Sequence, residues 1–485
     1  MNNPLIVIVG SGPSALATAA AVVEKGHKPL VIDASVGGTN PNPMDFLVET
    51  SQLLRNNSKG SPGRKSWLGS DLPYRQHASS KLKFQNSEPV PSHSFGGFSR
   101  IWGASCSFYG EENELSSPFK LGSEERLLVS RLLGFRDASM KSTGLKPSKA
   151  AEDLMHRITS ASFTEKYEVA LSTLAIDVEP ESKESCRYCN QCLTGCPYNS
   201  IWMSGDKLLK MQEKKEIELK SGYFLQEMDV EFGHVTRLVF KTATSSYEIL
   251  NPEYCFLATG AISTAEILIN SKILGEIEIL DSSTAFSAML GVRKNSGDIK
   301  VNHALSQLWV TNRKGGAHFQ IYSPSPGLEA KLSSNFPFLV RFPKLTNWLA
   351  ERVIPVISYL PSEQSGKLRV EEKNDRLVVS THRTLLARIK HHIELFRFSF
   401  KLLQKGYVLP SFLSKIPNPG AGYHFGASLP MGKVTNELGQ LPGISNLSIV
   451  DASVLPRIAA GSITPSVMAN AARISRLVCE RVLSV

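Results

Sequence analysis

The sequence predicts an α/β protein in which a dinucleotide-binding domain with a parallel sheet carries an inserted α+β substrate domain on an antiparallel sheet. Residues 5–33 read as strand, glycine turn, helix and strand. Residues 285–422 alternate aromatic and polar side chains, as antiparallel strands with one covered face do. A chain of 485 residues can form two such units. We therefore assign residues 1–284 and 423–485 to the first domain and 285–422 to the second.

Charge and cysteine usage bound the function. The net charge of +10 is spread along the chain, which favours an anionic substrate or a membrane surface and excludes a nucleic-acid partner. Four of the seven cysteines lie in one run, so no disulfide framework is indicated and a reducing compartment is favoured. The apolar start has no Lys or Arg before it, which argues against a signal peptide, and no segment suits a membrane span. We expect a cytoplasmic protein, either free or peripheral to the inner face of the membrane.

The first strand, LIVIVG, runs into the turn GSGPSA, a helix and the strand PLVID. Gly10 permits the tight turn, Gly12 lets the backbone approach a pyrophosphate, and Ala15 allows close packing of helix and sheet. Asp33 is placed to accept hydrogen bonds from a ribose. These features predict a Rossmann-like domain with the phosphates at a helix N-terminus. The predicted contacts are Gly10, Gly12, Pro13, Ser14, Ala15 and Asp33.

Further glycine-rich and helix-start segments follow this unit. The stretch from Gly38 to Gln85 reads as a loop. In SFGGFSRIWGAS, two glycines allow a close backbone approach before a tryptophan, although a glycine turn before a core tryptophan explains the pattern equally well. The ATGA segment reads as a strand end that touches a nucleotide or simply as a buried strand. Near the C-terminus, Thr464 is expected to cap a helix that has Pro465 in its first turn.

The run CRYCNQCLTGCP, within residues 183–203, places four cysteines at spacings typical of an iron–sulfur ligand loop. Structural zinc and a redox-active arrangement are less favoured alternatives, because zinc sites usually separate two cysteine pairs more widely. The predicted ligands are Cys186, Cys189, Cys192 and Cys196. Three-iron (3Fe-4S) and four-iron (4Fe-4S) clusters both remain open.

Within residues 385–403, apolar residues recur at helical spacing, among them Ile389, Ile393, Phe396 and Phe400. Basic residues occupy the other faces of the predicted helix. A surface helix packed on its own domain is the favoured interpretation, because globular helices commonly show this pattern. A basic amphipathic helix on anionic lipid is the alternative, so peripheral membrane contact stays open.

Five motifs in order resemble those of the glucose-methanol-choline (GMC) family of flavin oxidoreductases. They are GSGPSA with Asp33, GGFSRIWGA, YCFLATGAIST, YHFGASLPMG and NLSIVDASVLP. The resemblance implies FAD as cofactor, although Glu is more usual than Asp at position 33. It adds to the predicted FAD contacts Gly96, Gly97, Ser99, Trp102, Ala258, Gly260, Asp451, Ala452, Ile463 and Thr464. The cysteine run is similar to that of iron–sulfur glucose dehydrogenases of the family, in which the counterparts of Cys186, Cys192 and Cys196 bind a three-iron cluster. Cys189 is additional, which makes a four-iron cluster plausible.

The resemblance also places a catalytic base at His424. The usual partner at the second catalytic position is Asn or His, and this chain has Ser462 there. We therefore expect an FAD-dependent dehydrogenase of a CH–OH group, on a small-molecule alcohol and most plausibly a sugar or glycoside, with an iron–sulfur cluster passing electrons to a separate protein or quinone. Oxidation of a lipid or polyprenyl-linked alcohol at a membrane, and a flavin and cluster electron-transfer module without alcohol chemistry, are the alternatives.

Overall fold

The computed structural model describes residues 5–35, 67, 71–85, 90–108, 121–135, 140, 144–242, 244, 246–295, 302–324, 332 and 337–483. Most of the predicted loop between Gly38 and Gln85 lies outside these residues. Its described end is not all loop, because Leu82–Gln85 form a strand that pairs in parallel with residues 377–380. The loop prediction is wrong there, since a short strand with few apolar residues gives little periodic signal.

Nine α-helices and nineteen strands lie in the described residues. The helices are α1 Pro13–Glu24, α2 Ser123–Leu132, α3 Lys149–Ile158, α4 Ala161–Thr164, α5 Ser204–Glu213, α6 Ala261–Asn270, α7 Pro343–Ala350, α8 Leu385–Leu403 and α9 Thr464–Arg481. The strands are β1 Ile6–Val9, β2 Leu30–Asp33, β3 Leu82–Gln85, β4 Tyr167–Leu171, β5 Glu218–Ser221, β6 Tyr223–Glu231, β7 His234–Thr242, β8 Tyr247–Leu250, β9 Tyr254–Leu257, β10 Glu276–Asp281, β11 Thr284–Gly291, β12 Ser306–Asn312, β13 His318–Tyr322, β14 Val353–Tyr359, β15 Lys367–Lys373, β16 Arg376–His382, β17 Tyr407–Val408, β18 Phe425–Gly426 and β19 Leu447–Ile449.

The first domain is built on a five-stranded parallel sheet in the order β19–β9–β1–β2–β5. Every residue of β1, β2, β9 and β19 is buried, as in parallel strands covered on both faces. Helix α1 packs against α9, so the C-terminal helix closes the same domain as the N-terminal βαβ unit. The predicted α/β class is therefore confirmed.

The second domain is built on a six-stranded antiparallel sheet in the order β17–β11–β14–β13–β12–β4. Its outward face packs on α8, where the Phe319 and Phe398 rings stack with centroids 3.9 Å apart and Tyr167 packs edge-on to both. Strand β4 pairs with β12 although it precedes the predicted boundary at residue 285. The exact domain boundaries stay a prediction.

Two further sheets complete the fold. The five-stranded sheet β18–β10–β15–β16–β3 has β3, from the first third of the chain, at one edge and β18, from the C-terminal segment, at the other. The meander β6–β7–β8 leads back to the buried β9, a turn at Gly260 and α6, as the sequence predicts. In the part of the chain that the structure describes, no helix has the length and hydropathy needed to cross a membrane.

Helix α8 does not pack through the stripe that the sequence predicts. Its buried side chains are Ala387, His391, Glu394, Leu395, Phe398 and Leu402. The predicted stripe is exposed instead, with Phe396 64% and Phe400 58% accessible. The helix packs on its own domain, as the favoured interpretation holds, but it is apolar on two sides and the other side faces the sheet.

Candidate active site

A cavity of about 320 Å³ lies where the carboxyl ends of β1, β2 and β9 meet the antiparallel sheet. Both domains line it. Of the predicted site residues, the lining contains Gly10, Gly12, Pro13, Ser14, Asp33, Gly97, Ser99, Trp102, Ala258, Gly260, His424, Asp451, Ala452, Ser462, Ile463 and Thr464. Ala15 is fully buried in the core, as close helix-to-sheet packing requires. Gly96 lies behind the lining, where its N–H donates to Ser11 Oγ over 2.8 Å.

The glycine turn after β1 is shaped for close approach. Gly10 has a φ of +117°, and a Cβ there would lie 2.4 Å from the carbonyl oxygen of Ala258. Gly12, the N-cap of α1, has open space where a Cβ would be. A Cβ on Gly97 would lie 3.6 Å from the Cα of Gly12, so the two glycine segments meet. The arrangement leaves bare backbone and a helix N-terminus facing the cavity, which suits a pyrophosphate.

Asp33 ends β2 at the cavity. Its carboxylate accepts a hydrogen bond from Ser11 Oγ over 2.7 Å and one from the Ser35 N–H over 2.8 Å. Burial raises the pKa of Asp33, and the two serines oppose that rise. A short acidic side chain at a strand end, with the turn alongside, fits the ribose of a dinucleotide.

Asp451 ties the C-terminal segment to the turn after β9. Its carboxylate accepts from the Gly260 N–H over 2.9 Å, from Thr264 Oγ1 over 2.5 Å and from the Ser453 N–H over 2.8 Å. These hydrogen bonds fix Asp451 in the cavity lining beside Ala452, Ile463 and Thr464, and its predicted contact with the cofactor stays a prediction. Helix α9 begins at Thr464, with Ile463 as N-cap and no side-chain cap, so the predicted capping by Thr464 is wrong.

His424 lies in the lining of the cavity, one residue before β18. Burial lowers the pKa of His424 to about 4, so the imidazole is neutral at physiological pH. The Tyr359 ring stacks on it, with centroids 4.8 Å apart and planes 26° apart. Nδ1 is buried and hydrogen-bonds to none of the residues the structure describes. An uncharged, oriented imidazole at a cavity wall can accept a proton.

The hydroxyl group of Ser462 donates its hydrogen bond within the protein. Its hydroxyl donates to the Ser105 carbonyl oxygen over 2.5 Å. It can therefore accept a hydrogen bond from a molecule in the cavity, but it donates none in this arrangement. The sequence could not show this, because the acceptor lies 357 residues away.

The floor beneath these residues comes from the antiparallel sheet, and the sequence reasoning did not assign it. The cavity-facing positions alternate along three strands, as side chains of a pleated sheet do. They are Thr284 and Phe286 of β11, Gln320 and Tyr322 of β13, and Ile357 and Tyr359 of β14. Tyr322 donates its hydroxyl proton to Gln320 Oε1 over 2.9 Å. The alternation of aromatic and polar residues was the available signal, but it does not say which face meets a cavity.

The four cysteines lie in one half-buried loop, and all are free thiols. Burial, with smaller contributions from Cys196, Cys186 and Cys189, raises the pKa of Cys192 to about 12. The thiols are therefore within electrostatic reach of one another. Even so, no three His, Cys, Asp or Glu side chains among the described residues stand in a metal-binding arrangement. The predicted ligand set stays a prediction.

Trp102 connects this loop with the main cavity. Its side chain lines the cavity, and it also lines a small void of about 20 Å³ bounded by Cys192 and Cys196. The Trp102 Nε1–H donates to the Trp202 carbonyl oxygen over 2.8 Å, and the two indole rings have centroids 5.4 Å apart. Trp102 and its neighbour Ile101 thus line both the cavity and the void beside the thiols.

Comparison with known proteins agrees with this geometry. Residues 411–471, which hold His424, Asp451 and Ser462, match the model of the GMC oxidoreductase C-terminal domain. Among solved structures, the chain is similar to pyridoxine 4-oxidase from Mesorbium loti, with a TM-score of 0.63, 15% identity, and coverage of 99% of this chain and 100% of that one. No curated protein sequence matches.

The fold and the cavity define an α/β protein in which a site that fits a dinucleotide faces an antiparallel sheet. Residues 411–471 are similar to the C-terminal domain of GMC oxidoreductases, a family of FAD-dependent enzymes that oxidise the CH–OH group of alcohols. FAD is the cofactor typical of this family, and the bare glycine turn, the α1 N-terminus and Asp33 fit its pyrophosphate and ribose. An electron-transfer module without alcohol chemistry stays the alternative prediction.

Proposed function

We propose that the protein is a dehydrogenase that oxidises a CH–OH group of a neutral sugar or glycoside to a carbonyl, with His424 as the base. The observation that carries this proposal is the neutral, buried imidazole at the cavity wall, with Nδ1 not hydrogen-bonded within the described residues. FAD, when bound, supplies the acceptor for the hydride that leaves the alcohol carbon.

His424 has a defined part in that reaction. The hydroxyl proton of the alcohol passes to the imidazole, the electron pair of the O–H bond forms the second carbon–oxygen bond, and the hydrogen on carbon departs with its own pair. Removal of the proton makes that departure easier, because negative charge on the oxygen pushes the hydride out. Stacking on Tyr359 holds the ring in one orientation while this occurs.

The lining supports a neutral substrate. No Lys or Arg lines the cavity within the residues the structure describes, so the diffuse positive charge of the chain is not focused there. The substrate end instead offers the neutral hydrogen-bonding groups of Gln320, Tyr322 and Ser462, beside the rings of Phe286 and Tyr359. Hydroxyl and amide groups beside flat rings suit a sugar, whose hydroxyls need partners and whose C–H faces pack on aromatic surfaces.

The electron acceptor follows from the cysteine loop. We propose that Cys186, Cys189, Cys192 and Cys196 hold an iron–sulfur cluster, either 4Fe-4S or 3Fe-4S, from which a separate protein or quinone takes electrons. Support comes from the cysteine spacing, the mutual electrostatic reach of the thiols, and the position of Trp102 between loop and cavity. The similar pyridoxine 4-oxidase is by name an oxidase, a class of enzyme that passes electrons to dioxygen. If the cysteines held zinc instead of iron, dioxygen would likewise become the expected acceptor of this protein.

A second candidate substrate is a lipid or polyprenyl-linked alcohol presented at a membrane. The observation that favours it is the exposed apolar side of α8.

Anaerobic reduction of the bound flavin by a panel of alcohols tests the proposal. Neutral methyl glycosides are expected to bleach the oxidised flavin spectrum faster than sugar phosphates or long-chain alcohols, because the lining offers neutral polar groups and no cation. Faster reduction by long-chain alcohols would select the second candidate, and faster reduction by sugar phosphates would contradict a neutral site. Iron, sulfide and zinc analysis of the same sample tests the cluster, and zinc without iron would contradict it.

A further inference from the structure

Helix α8 presents two apolar sides, and only one of them is used by the fold. Side chains of the buried side recur at positions 387, 391, 394, 395, 398 and 402, and pack on the antiparallel sheet. The exposed side chains are Leu385, Leu386, Ile389, Ile393, Phe396, Phe400 and Leu403, which we call the outer stripe. At 3.6 residues per turn the two sets point about 180° apart. The outer stripe therefore faces away from the protein.

The outer stripe is not isolated. The turn Ser411–Leu413 packs against α8 and adds Phe412, 80% exposed, and Leu413, 60% exposed. A second exposed apolar group on residues 338–348 precedes β14, and it consists of Phe338, Val340, Phe342, Leu345 and Trp348. Strand β14 begins beside the end of β11, which pairs with β17 just after α8. The second group thus lies at the end of the sheet that α8 reaches. An exposed apolar surface as large as the outer stripe with Phe412 and Leu413 is typical of an interaction site.

Charge selects the kind of partner. On the helical wheel, Lys390, Arg397 and Lys401 border the outer stripe on one side and Arg388 borders it on the other. The helix carries one acidic residue, Glu394, which is buried and accepts hydrogen bonds from Arg397 and Asn312 over 2.7 and 3.0 Å. The other group adds Arg341 and Lys344. Apolar side chains between basic borders match the boundary of an anionic bilayer, where acyl chains take the former and headgroup phosphates the latter.

We propose that the outer stripe of α8, with Phe412 and Leu413, docks the enzyme on an anionic lipid surface. The helix lies in the plane of the interface and does not cross it, in agreement with its hydropathy. The orientation follows from the sheet. Along β13 the side chains alternate between two faces. Phe319 and Ile321 belong to the core shared with α8, whereas Gln320 and Tyr322 line the cavity. The docked surface and the cavity are therefore on opposite faces of one sheet. This inference does not depend on the proposed substrate.

Vesicle flotation with the full-length, flavin-loaded protein tests the proposal. The native protein is expected to float with phosphatidylcholine vesicles that contain phosphatidylglycerol, and to bind at least about tenfold less to phosphatidylcholine alone. The variant F396Q/F400Q is expected to lose about tenfold or more in binding to the anionic vesicles, because two exposed rings no longer enter the interface. Its activity on a soluble alcohol should equal that of the native enzyme, since neither side chain contacts the cavity.

The matched control is Phe232→Gln. Phe232 is fully exposed at the turn between β6 and β7, away from α8, so this change removes one exposed ring without touching the outer stripe. Phe232→Gln should bind the anionic vesicles as the native protein does. R388Q/K390Q should bind the anionic vesicles less well, and its weak binding to phosphatidylcholine alone should not change. No flotation of the native protein at low salt would overturn the proposal, and so would an equal loss in the control. A native dimer that F396Q/F400Q converts to a monomer, measured by light scattering, would assign the surface to a second copy instead.

Discussion

The two halves of the cavity are built in different ways. The cofactor half is backbone: Gly10, Gly12 and Gly97 expose main chain, while Asp33 and Asp451 are held by hydrogen bonds from neighbouring groups. The substrate half is side chain, with alternate residues of three antiparallel strands projecting upward. A site of backbone tolerates almost no substitution at its glycines, whereas a site of side chains can change its specificity one residue at a time. The same fold can therefore keep its cofactor and vary its substrate.

Substitution of Gly10 gives the largest effect expected on the cofactor half. In Gly10→Ala the new methyl group would meet the Ala258 carbonyl oxygen at 2.4 Å, and alanine disfavours a φ of +117°. We expect the purified variant to carry less than about one hundredth of the native flavin, measured by visible absorbance, since the strain falls on the turn that binds phosphate. Gly275→Ala is the control, because Gly275 has no positive φ and no atom within 4 Å of a Cβ. Native flavin content in Gly10→Ala would contradict the backbone cradle.

A substitution in the substrate half should have a smaller and more selective effect. Tyr322→Phe removes the hydroxyl that donates to Gln320 and frees that amide to rotate. We expect kcat/KM to fall about fivefold, equivalent to about 1 kcal/mol, with flavin content unchanged. Tyr254→Phe removes a buried hydroxyl bonded to Ser448 beneath the parallel sheet, and it should lower stability without altering kcat/KM. A loss of flavin in Tyr322→Phe would remove the distinction between the two halves.

The same contrast explains what the sequence could predict. Gly10, Gly12 and Asp33 were found because a backbone site needs particular residues at fixed spacing within one local unit. The cavity floor at Gln320, Tyr322 and Tyr359 was missed, because it depends on the pairing of strands that are distant in sequence. The commitment of the Ser462 proton to Ser105, and the choice of buried side on α8, are likewise set by tertiary packing. Local periodicity shows that a helix has an apolar side, but it does not show which of two apolar sides packs on the protein and which stays exposed.

The central claim, that a neutral and buried His424 is the base, is tested most directly by the pH dependence of flavin reduction in single turnovers. A histidine with its pKa lowered from 6.5 to about 4 is uncharged, and able to accept a proton, at every pH above about 4. The native rate constant should therefore stay level from neutral pH down to about pH 5 and fall only as the imidazole protonates below that. His424→Gln should keep its flavin and reduce it about 10² to 10⁴ times more slowly, without that acid limb. Native-like reduction in His424→Gln would contradict the account.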